Sequence, residues 1–406
     1  MSERQGRGEF LALMAAASAT IAIAIDAMLP AFADVREHFG LSATSSDVAL
    51  IITVFMAGLG IGQLVYGPLA DRFGRKPVFM AGLLLYVVAG FATAFAPSLE
   101  ALLVGRFLWG LGAAGPRVVS QAMLRDRFRG DVLARAMAVI LTIFLVVPTL
   151  APMIGQALLQ LGSWRYTFAV GPVFGTLVAL WSTRVTESLD PSKRSTLDMR
   201  SIGRSIVEVL RTRSALGNTV ALTMLTAAFL PYLASSERIY GEVYDRGSQF
   251  FLWFGGTSIV MAGFTLATSR IVARRGTKRT MRGVIALLLV ISTANAVVTL
   301  GTGGTPPFAF FFVATTLAVS LNTAASPLLT SRALDEVGHI AGTAASTIGA
   351  ISFIGAALLS PLVDGAIDTT VTPFAVGYLT FAVLAAVAAL WADRRRSAIE
   401  PIAVGT

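Results

Sequence analysis

The sequence predicts an all-α polytopic membrane protein, with twelve transmembrane helices in two pseudo-symmetric six-helix bundles. Three observations carry this. The chain of 406 residues is 55% apolar and only 14% charged, with a mean hydropathy of +0.73, where a soluble domain has about 25% charged residues. Apolar runs of about twenty residues recur along it, each long enough to cross a bilayer as a helix. A single long polar linker divides those runs six and six.

The spans are expected at 9–33, 46–70, 77–97, 100–123, 134–159, 165–184, 215–236, 248–272, 280–301, 306–330, 340–364 and 372–392. The first is too long for the apolar core of a cleaved leader, and no small-residue cleavage site with a polar flank follows it, so it is expected to stay. Residues 1–186 then form an N-terminal bundle, 187–214 a linker, 215–393 a C-terminal bundle and 394–406 a tail. Within the linker Ile202, Ile206, Val209 and Leu210 fall at helical spacing, with Arg204 and Arg211 between them. That pattern reads as a short amphipathic helix on the membrane surface, and equally as a solvated tether that lets two halves rock.

Charge sets the orientation. With the N-terminus placed inside, 26 of the 32 Lys and Arg fall in inner segments and four outside (Arg36, Arg165, Arg238 and Arg246), while Arg106 and Arg117 lie within the membrane. Cations collect on the cytoplasmic side, so both termini are expected there. The net charge of +9 is thereby a topology signal spread over loops, and no nucleic-acid partner is expected. The chain has no cysteine, which excludes disulfides, thiolate metal sites and Cys nucleophiles. His38 and His339, both expected in loops, offer neither a metal site nor a buried base. No metal and no cofactor are expected.

The segment Gly67-Pro68-Leu69-Ala70-Asp71-Arg72-Phe73-Gly74-Arg75-Lys76-Pro77 joins spans two and three. One acid and three cations cannot rest in hydrocarbon, so it lies at a membrane surface. Its pattern, G-x-L-A-D-R-x-G-R-K, resembles the signature loop between helices 2 and 3 of the major facilitator superfamily of secondary transporters. A shift of 202 residues places Gly74 and Lys76 on Gly276 and Lys278, and Arg72 on Arg274, while Asp71 falls on Ala273. This decayed repeat fits two related halves, between which the superfamily's substrate sites lie near the midplane. The resemblance implies that Gly67, Asp71, Arg72, Gly74, Arg75 and Lys76 form a conformational latch. Asp71 would dock on the positive N-terminus of span eleven near Ile340-Ala341-Gly342, and the cations would clamp carboxylates such as Asp126.

Charges inside the membrane need a reason, since one at mid-bilayer costs about 2.5–3.5 kcal/mol on insertion. Asp26, in Ile25-Asp26-Ala27-Met28-Leu29-Pro30-Ala31, is expected in the outer half of span one. It can cap the helix or snorkel outward, or it can bind and release a proton. The segment resembles the first helix of the bicyclomycin-resistance type of drug:proton antiporter, where D-M-x-L-P-A is typical; here Ala27 stands at the usual Met and Met28 follows. Arg106, in Arg106-Phe107-Leu108-Trp109-Gly110, lies at a similar depth on span four. The run is similar to the superfamily motif R-x-x-x-G-x-G-A-A, which implies a part in proton coupling for Arg106; an Arg fixing a kinked helix through backbone carbonyls is the alternative. Trp109 replaces the usual Gln, a departure expected to alter the cavity wall. Arg117 lies toward the cytoplasmic mouth, placed to attract anionic groups, pair with a carboxylate or snorkel to headgroups.

Span five carries Pro148 and Pro152, four apart, which remove backbone donors from one face and bend the helix; Gly155 permits close approach of a neighbour. The A-P-x-x-G form resembles the antiporter motif of the bicyclomycin-resistance group, as does Trp164-Arg165 at the start of span six. The second half offers polar Asn322, Thr323, Ser326 and Ser346, with Phe229 and Tyr232 placed to stack a lipophilic substrate or simply to pack the core. Glu237, Arg238, Glu242 and Asp245 read as an outer loop.

The chain as a whole is similar to twelve-span drug:proton antiporters of the bicyclomycin-resistance and amphenicol-exporter kind. The resemblance implies proton-coupled efflux of small lipophilic or amphiphilic compounds across the bacterial inner membrane by alternating access, driven by the proton gradient. Asp26 and Arg106 would couple the proton; Arg117, Phe229, Tyr232 and Asn322 would line the substrate cavity; and the molecule would act as a monomer. Proton-coupled export of an endogenous metabolite (a siderophore, amino acid or sugar) is the alternative. An embedded enzyme would need converging nucleophile, base or metal ligands, which the sequence does not present.

Overall fold

The structure, a computed structural model, describes residues 6–194 and 199–393. The expected tail, 394–406, lies outside the described residues. Among the described residues twelve long helices run α1 Arg7–Asp26, α2 Leu50–Phe73, α3 Arg75–Ala94, α4 Leu99–Arg127, α5 Gly130–Leu159, α6 Arg165–Ser182, α7 Arg213–Arg238, α8 Phe250–Arg275, α9 Thr277–Gly301, α10 Phe308–Leu334, α11 Ala341–Leu359 and α12 Thr372–Asp393. No strand occurs among the described residues, as expected where every backbone polar group must be satisfied within its own segment. The linker holds a helix over Met199–Arg211, in which Val209 is buried; the side chain of Ile202 lies outside the described residues.

Local chemistry explains where the helices break. Pro30 has no N–H to offer the carbonyl of Asp26, so α1 stops there. The chain continues through a 3₁₀ turn at Leu29–Ala31 into a short helix at Phe32–His38, and the whole run Arg7–His38 is apolar and long enough to span. His38 therefore ends a helix rather than sitting in a loop. At the other charged turns, α2 meets α3 at Gly74 and α8 meets α9 at Gly276, both in the left-handed region with φ of 100° and 75°. Only glycine adopts that conformation without penalty. The sequence repeat thus coincides with one turn used twice.

In the first half α4 packs between α2 and α3, and α1 lies against α5 and α6. In the second half α7 packs on α12, and α10 on α8 and α9. The halves meet along α2–α11 and α5–α8. Outward faces carry exposed Leu84 and Val88 on α3, Leu177 and Leu180 on α6, Val290 and Val297 on α9, and Val387 and Leu390 on α12. Apolar faces of this extent suit lipid rather than water, and the chain is a multi-pass membrane protein.

A further expectation is overturned. Glu237 and Arg238 do not lie in an outer loop: they are the last residues of α7, buried at 7% and 2% exposure, and the helix continues as a π turn at Ile239–Val243. Their charges belong to the contact between the halves, where each finds partners that a loop would not supply.

Candidate functional site

A cavity of about 1000 Å³ lies between the halves. Its inner wall includes Asp26, Tyr232 and Phe254; its mouth includes Asp71, Arg75, Arg125 and His339. It is therefore open at the end that carries the basic turn between α2 and α3.

The opposite end is sealed. The Arg36 guanidinium, beyond α1, donates to both carboxylate oxygens of Glu237 on α7, at 3.1 and 2.8 Å. The side chains are only 4% and 9% exposed, so the pair is largely desolvated. Arg238 donates to the carbonyls of Thr44 and of Asp364, the latter at 2.9 Å. Ser235 donates to the Asp364 carboxylate at 2.6 Å, and the hydroxyls of Thr53 and Ser360 lie 3.4 Å apart. Sequence reading missed this layer. Its members come from four distant segments, and the one available signal was the placing of Glu237 and Arg238 directly after an apolar run.

Asp26 sits at the broken end of α1 and lines the cavity, 5% exposed. Among the described residues no ion pair or side-chain hydrogen bond engages its carboxyl. Arg106 does not face the cavity. It is fully buried, and donates its Nε to the carbonyl of Ile51 and its Nη1 to that of Ala24, each at 3.0 Å. Its guanidinium lies 4.3 Å from the ring centre of Phe55 and 4.9 Å from that of Trp109. The Arg thus ties α4 to α2 and to the last turn of α1, two residues before Asp26. The geometry is that of the carbonyl-fixing alternative, and it places Arg106 beside the Asp26 backbone rather than its carboxyl. Trp109 is likewise inside the first half, against Phe55 and Tyr86, and forms no part of the cavity wall.

Pro148 lines the cavity, whereas Pro152 and Gly155 do not. Gly155 sits where α5 crosses the bend of α1: a Cβ there would run into the carbonyl oxygen of Ala27. The glycine therefore lets α5 press on the residue next to Asp26. On the other wall Tyr232 stacks on Phe254, with ring centres 5.5 Å apart and planes at 8°, and Phe229 lies 6.0 Å from Tyr232. Tyr232 Oη and Gln63 Nε2 are buried without a hydrogen-bond partner among the described residues, and both residues line the cavity. Asn322 lines it too, but its Nδ2 is committed to the Leu225 carbonyl at 2.9 Å and to Tyr378 Oη at 3.0 Å. Thr323, Ser326 and Ser346 complete a polar strip along the second half. Arg117 lies over Phe353 of α11, 5.4 Å from its ring centre.

At the mouth, Arg75 bonds both Asp71, one turn earlier, and Asp126 at the end of α4 (3.1 Å). Asp71 is turned to Arg75 and makes no bond to the start of α11, although Ile340 and Gly342 share the same mouth. Arg72 lies over Phe73, and Lys76 Nζ donates to the Thr183 carbonyl at 2.9 Å. Glu187, a linker residue the sequence did not single out, accepts from the backbone N–H groups of Arg75 and Lys76 at 3.0 and 3.1 Å. It thereby caps α3 just beyond Gly74, where a carboxylate suits the positive end of the helix. Among the described residues no group of three His, Asp or Glu is placed to hold a metal ion.

The arrangement can hold an apolar or amphiphilic molecule between aromatic rings, with one unpaired carboxyl at its inner end. Cavities of this size and lining accommodate drug-sized ligands.

Comparison with known proteins agrees with the fold. Residues 11–360 match the Major Facilitator Superfamily. The chain is 27% identical over 354 residues to a bicyclomycin resistance protein homolog of Haemophilus influenzae, covering 86% of this chain and 87% of that one. It is 28% identical over 231 residues to the multidrug resistance protein MdtL of Salmonella heidelberg, covering 56% and 57%. Its fold is similar to that of the xylose transporter XylE from E. coli in a partially occluded inward open conformation, with a TM-score of 0.72 at 15% identity over 94% of this chain and 96% of that one.

Proposed function

The chain belongs to the Major Facilitator Superfamily, and from that premise we propose that it exports small lipophilic or amphiphilic compounds, drugs and antibiotics among them, across the bacterial inner membrane in exchange for protons. The relatives named for bicyclomycin and multidrug resistance support the substrate class. The observation that carries the coupling is Asp26: a lone carboxyl, buried in the wall of a largely apolar cavity, beside a break in its own helix.

The excess of Lys and Arg on the side of the α2–α3 turn makes that side cytoplasmic, so the open mouth faces the cytoplasm and the compound enters from there. With Asp26 charged, the inner end of the cavity holds an isolated anion. Protonation removes that charge and with it the cost of burying it. The proton and the compound therefore favour different occupancies of one site, and a difference in affinity between states is what lets a proton gradient drive transport. Arg106 and Gly155 hold the bend of α1 against α4 and α5, so a change at Asp26 reaches the helix contacts directly. Opening outward requires the Arg36–Glu237 layer to part and the mouth to close, with Asp71 exchanging Arg75 for the start of α11.

The test is proton release from purified protein in weakly buffered detergent on adding bicyclomycin or chloramphenicol. Wild type is expected to release protons, and Asp26→Asn to bind the drug without release. Release that persists in the mutant would remove Asp26 from the coupling. Failure of wild type to bind or release with either compound would sink the drug-export reading.

A further inference from the structure

On α4, Arg117, Gln121 and Arg125 recur at intervals of four, and all three line the cavity. Residues four apart stack on one face of a helix, so α4 presents a basic edge that climbs from the mouth inward. Arg117 is its inner end. Among the described residues, the carboxylates that share the cavity with it are Asp26 and Asp71. Asp71 is engaged by Arg75. Asp26 is far away: Arg106 bonds the last turn of α1, and from Arg106 to Arg117 the helix advances about 16 Å. Among the described residues Arg117 forms no ion pair, and its recorded partner is the Phe353 ring.

A guanidinium placed in a membrane-spanning helix without a carboxylate is costly to keep, and it does not bond backbone carbonyls as Arg106 does. Stacking on Phe353 occupies only the face of the group. Its N–H donors lie in the plane and remain available, in the fork geometry that matches a carboxylate. Low-dielectric walls strengthen the attraction of such a charge for an anion.

We propose that Arg117 binds an acidic group of the exported compound, so that the preferred substrates are amphiphiles carrying a carboxylate. This rests on the efflux reading above and narrows its substrate class. The apolar body of the compound extends inward from Arg117, past Phe353 toward Phe229, and Arg125 draws the anion in from the mouth. Holding the acidic group at Arg117 keeps it away from ionised Asp26, so substrate and proton carrier do not repel at contact range. Export of an anion also runs with an inside-negative membrane potential.

The experiment uses the purified full-length protein and three probes on one ring system: 2-naphthylacetate, its methyl ester, and a 2-naphthylmethyl trimethylammonium salt. Equilibrium dialysis reads the ratio of acid to ester affinity. Wild type is expected to bind the acid about tenfold more tightly than the ester, the size of one charge-assisted contact, and the ammonium salt most weakly. The ratio falls to about one in Arg117→Gln and is partly restored in Arg117→Lys. An acid-to-ester ratio of one or less in wild type overturns the proposal whether or not the mutants fold, and so does a ratio that survives in a folded Arg117→Gln. If the ester alone binds and drives proton release, this proposal falls and the efflux reading stands; if none of the three binds, this proposal falls, and the efflux reading stands or falls with the binding of bicyclomycin and chloramphenicol.

Discussion

Arg36 and Glu237 meet at 2.8 Å across the two halves of the molecule, each almost wholly withdrawn from solvent. They stand 201 positions apart in the chain, and their bridge closes the end of the cavity opposite its mouth. Removing one member strands the other charge, a loss of about 3–5 kcal/mol for a buried pair. That loss applies only to the arrangement in which the pair is formed, so it shifts the molecule toward arrangements in which this end is open.

Glu237→Gln is therefore expected to expose the sealed end. The chain has no cysteine, so Thr53→Cys, placed in the sealed layer beside Ser360, gives a clean reporter. A membrane-impermeant thiol reagent added from the outer side should label it about tenfold or more faster when Glu237→Gln is present. Removing both charges together, as in Arg36→Met/Glu237→Leu, should return the rate most of the way toward that of the parent. An unchanged rate in the single mutant would mean that the bridge does not hold this end shut.

Gly155→Leu should disturb the bend of α1, because any Cβ at this position meets the Ala27 carbonyl. Overpacking of this kind costs about 1–3 kcal/mol. The expected result is a lower thermal midpoint in detergent together with loss of transport, whereas Gly263→Leu, where a Cβ meets open space, changes neither. Retention of wild-type transport by Gly155→Leu would show that the contact is dispensable.

Asp71→Ala should leave insertion and thermal stability near wild type and yet slow turnover. In the arrangement described, Asp71 is half exposed and Arg75 keeps a second carboxylate, Asp126, so the pair is worth less than about 1 kcal/mol here. Its larger role is expected when the mouth closes on α11. The comparison to make is transport rate against thermal midpoint, and normal transport by a well-expressed mutant would remove Asp71 from the cycle.

Glu187→Gln should loosen the start of α3. The carboxylate accepts two N–H groups from the first turn of that helix, and loss of such a cap costs about 1 kcal/mol. Hydrogen exchange at Arg75 and Lys76 should quicken, with exchange in the middle of α3 unchanged. Equal protection at these two amides in both proteins would assign the cap to another group.

Some of this was legible in the sequence and some was not. Apolar runs, polar linker and biased cations determined the class, the approximate spans and the two-half organisation, because a helix that crosses lipid must declare itself locally, in a run of apolar residues long enough to span the bilayer. Asp26 and Gly155 were legible for the same reason, each being an exception within its own segment. Asp26 stands alone in an apolar run and Gly155 lacks a side chain where packing would supply one, whereas the break of α1 at Pro30 was not read from the expected span 9–33. What the tertiary structure alone decided was who faces whom. Arg106 and Arg117 are the same residue type on one helix, yet one is turned into the first half to bind backbone carbonyls and the other into the cavity over Phe353. Glu237 read as a loop acid until Arg36 stood against it, and Glu187 as linker polarity until it capped α3. These assignments depend on contacts between segments far apart in the chain, which local pattern does not encode and which only the packed arrangement of the helices supplies.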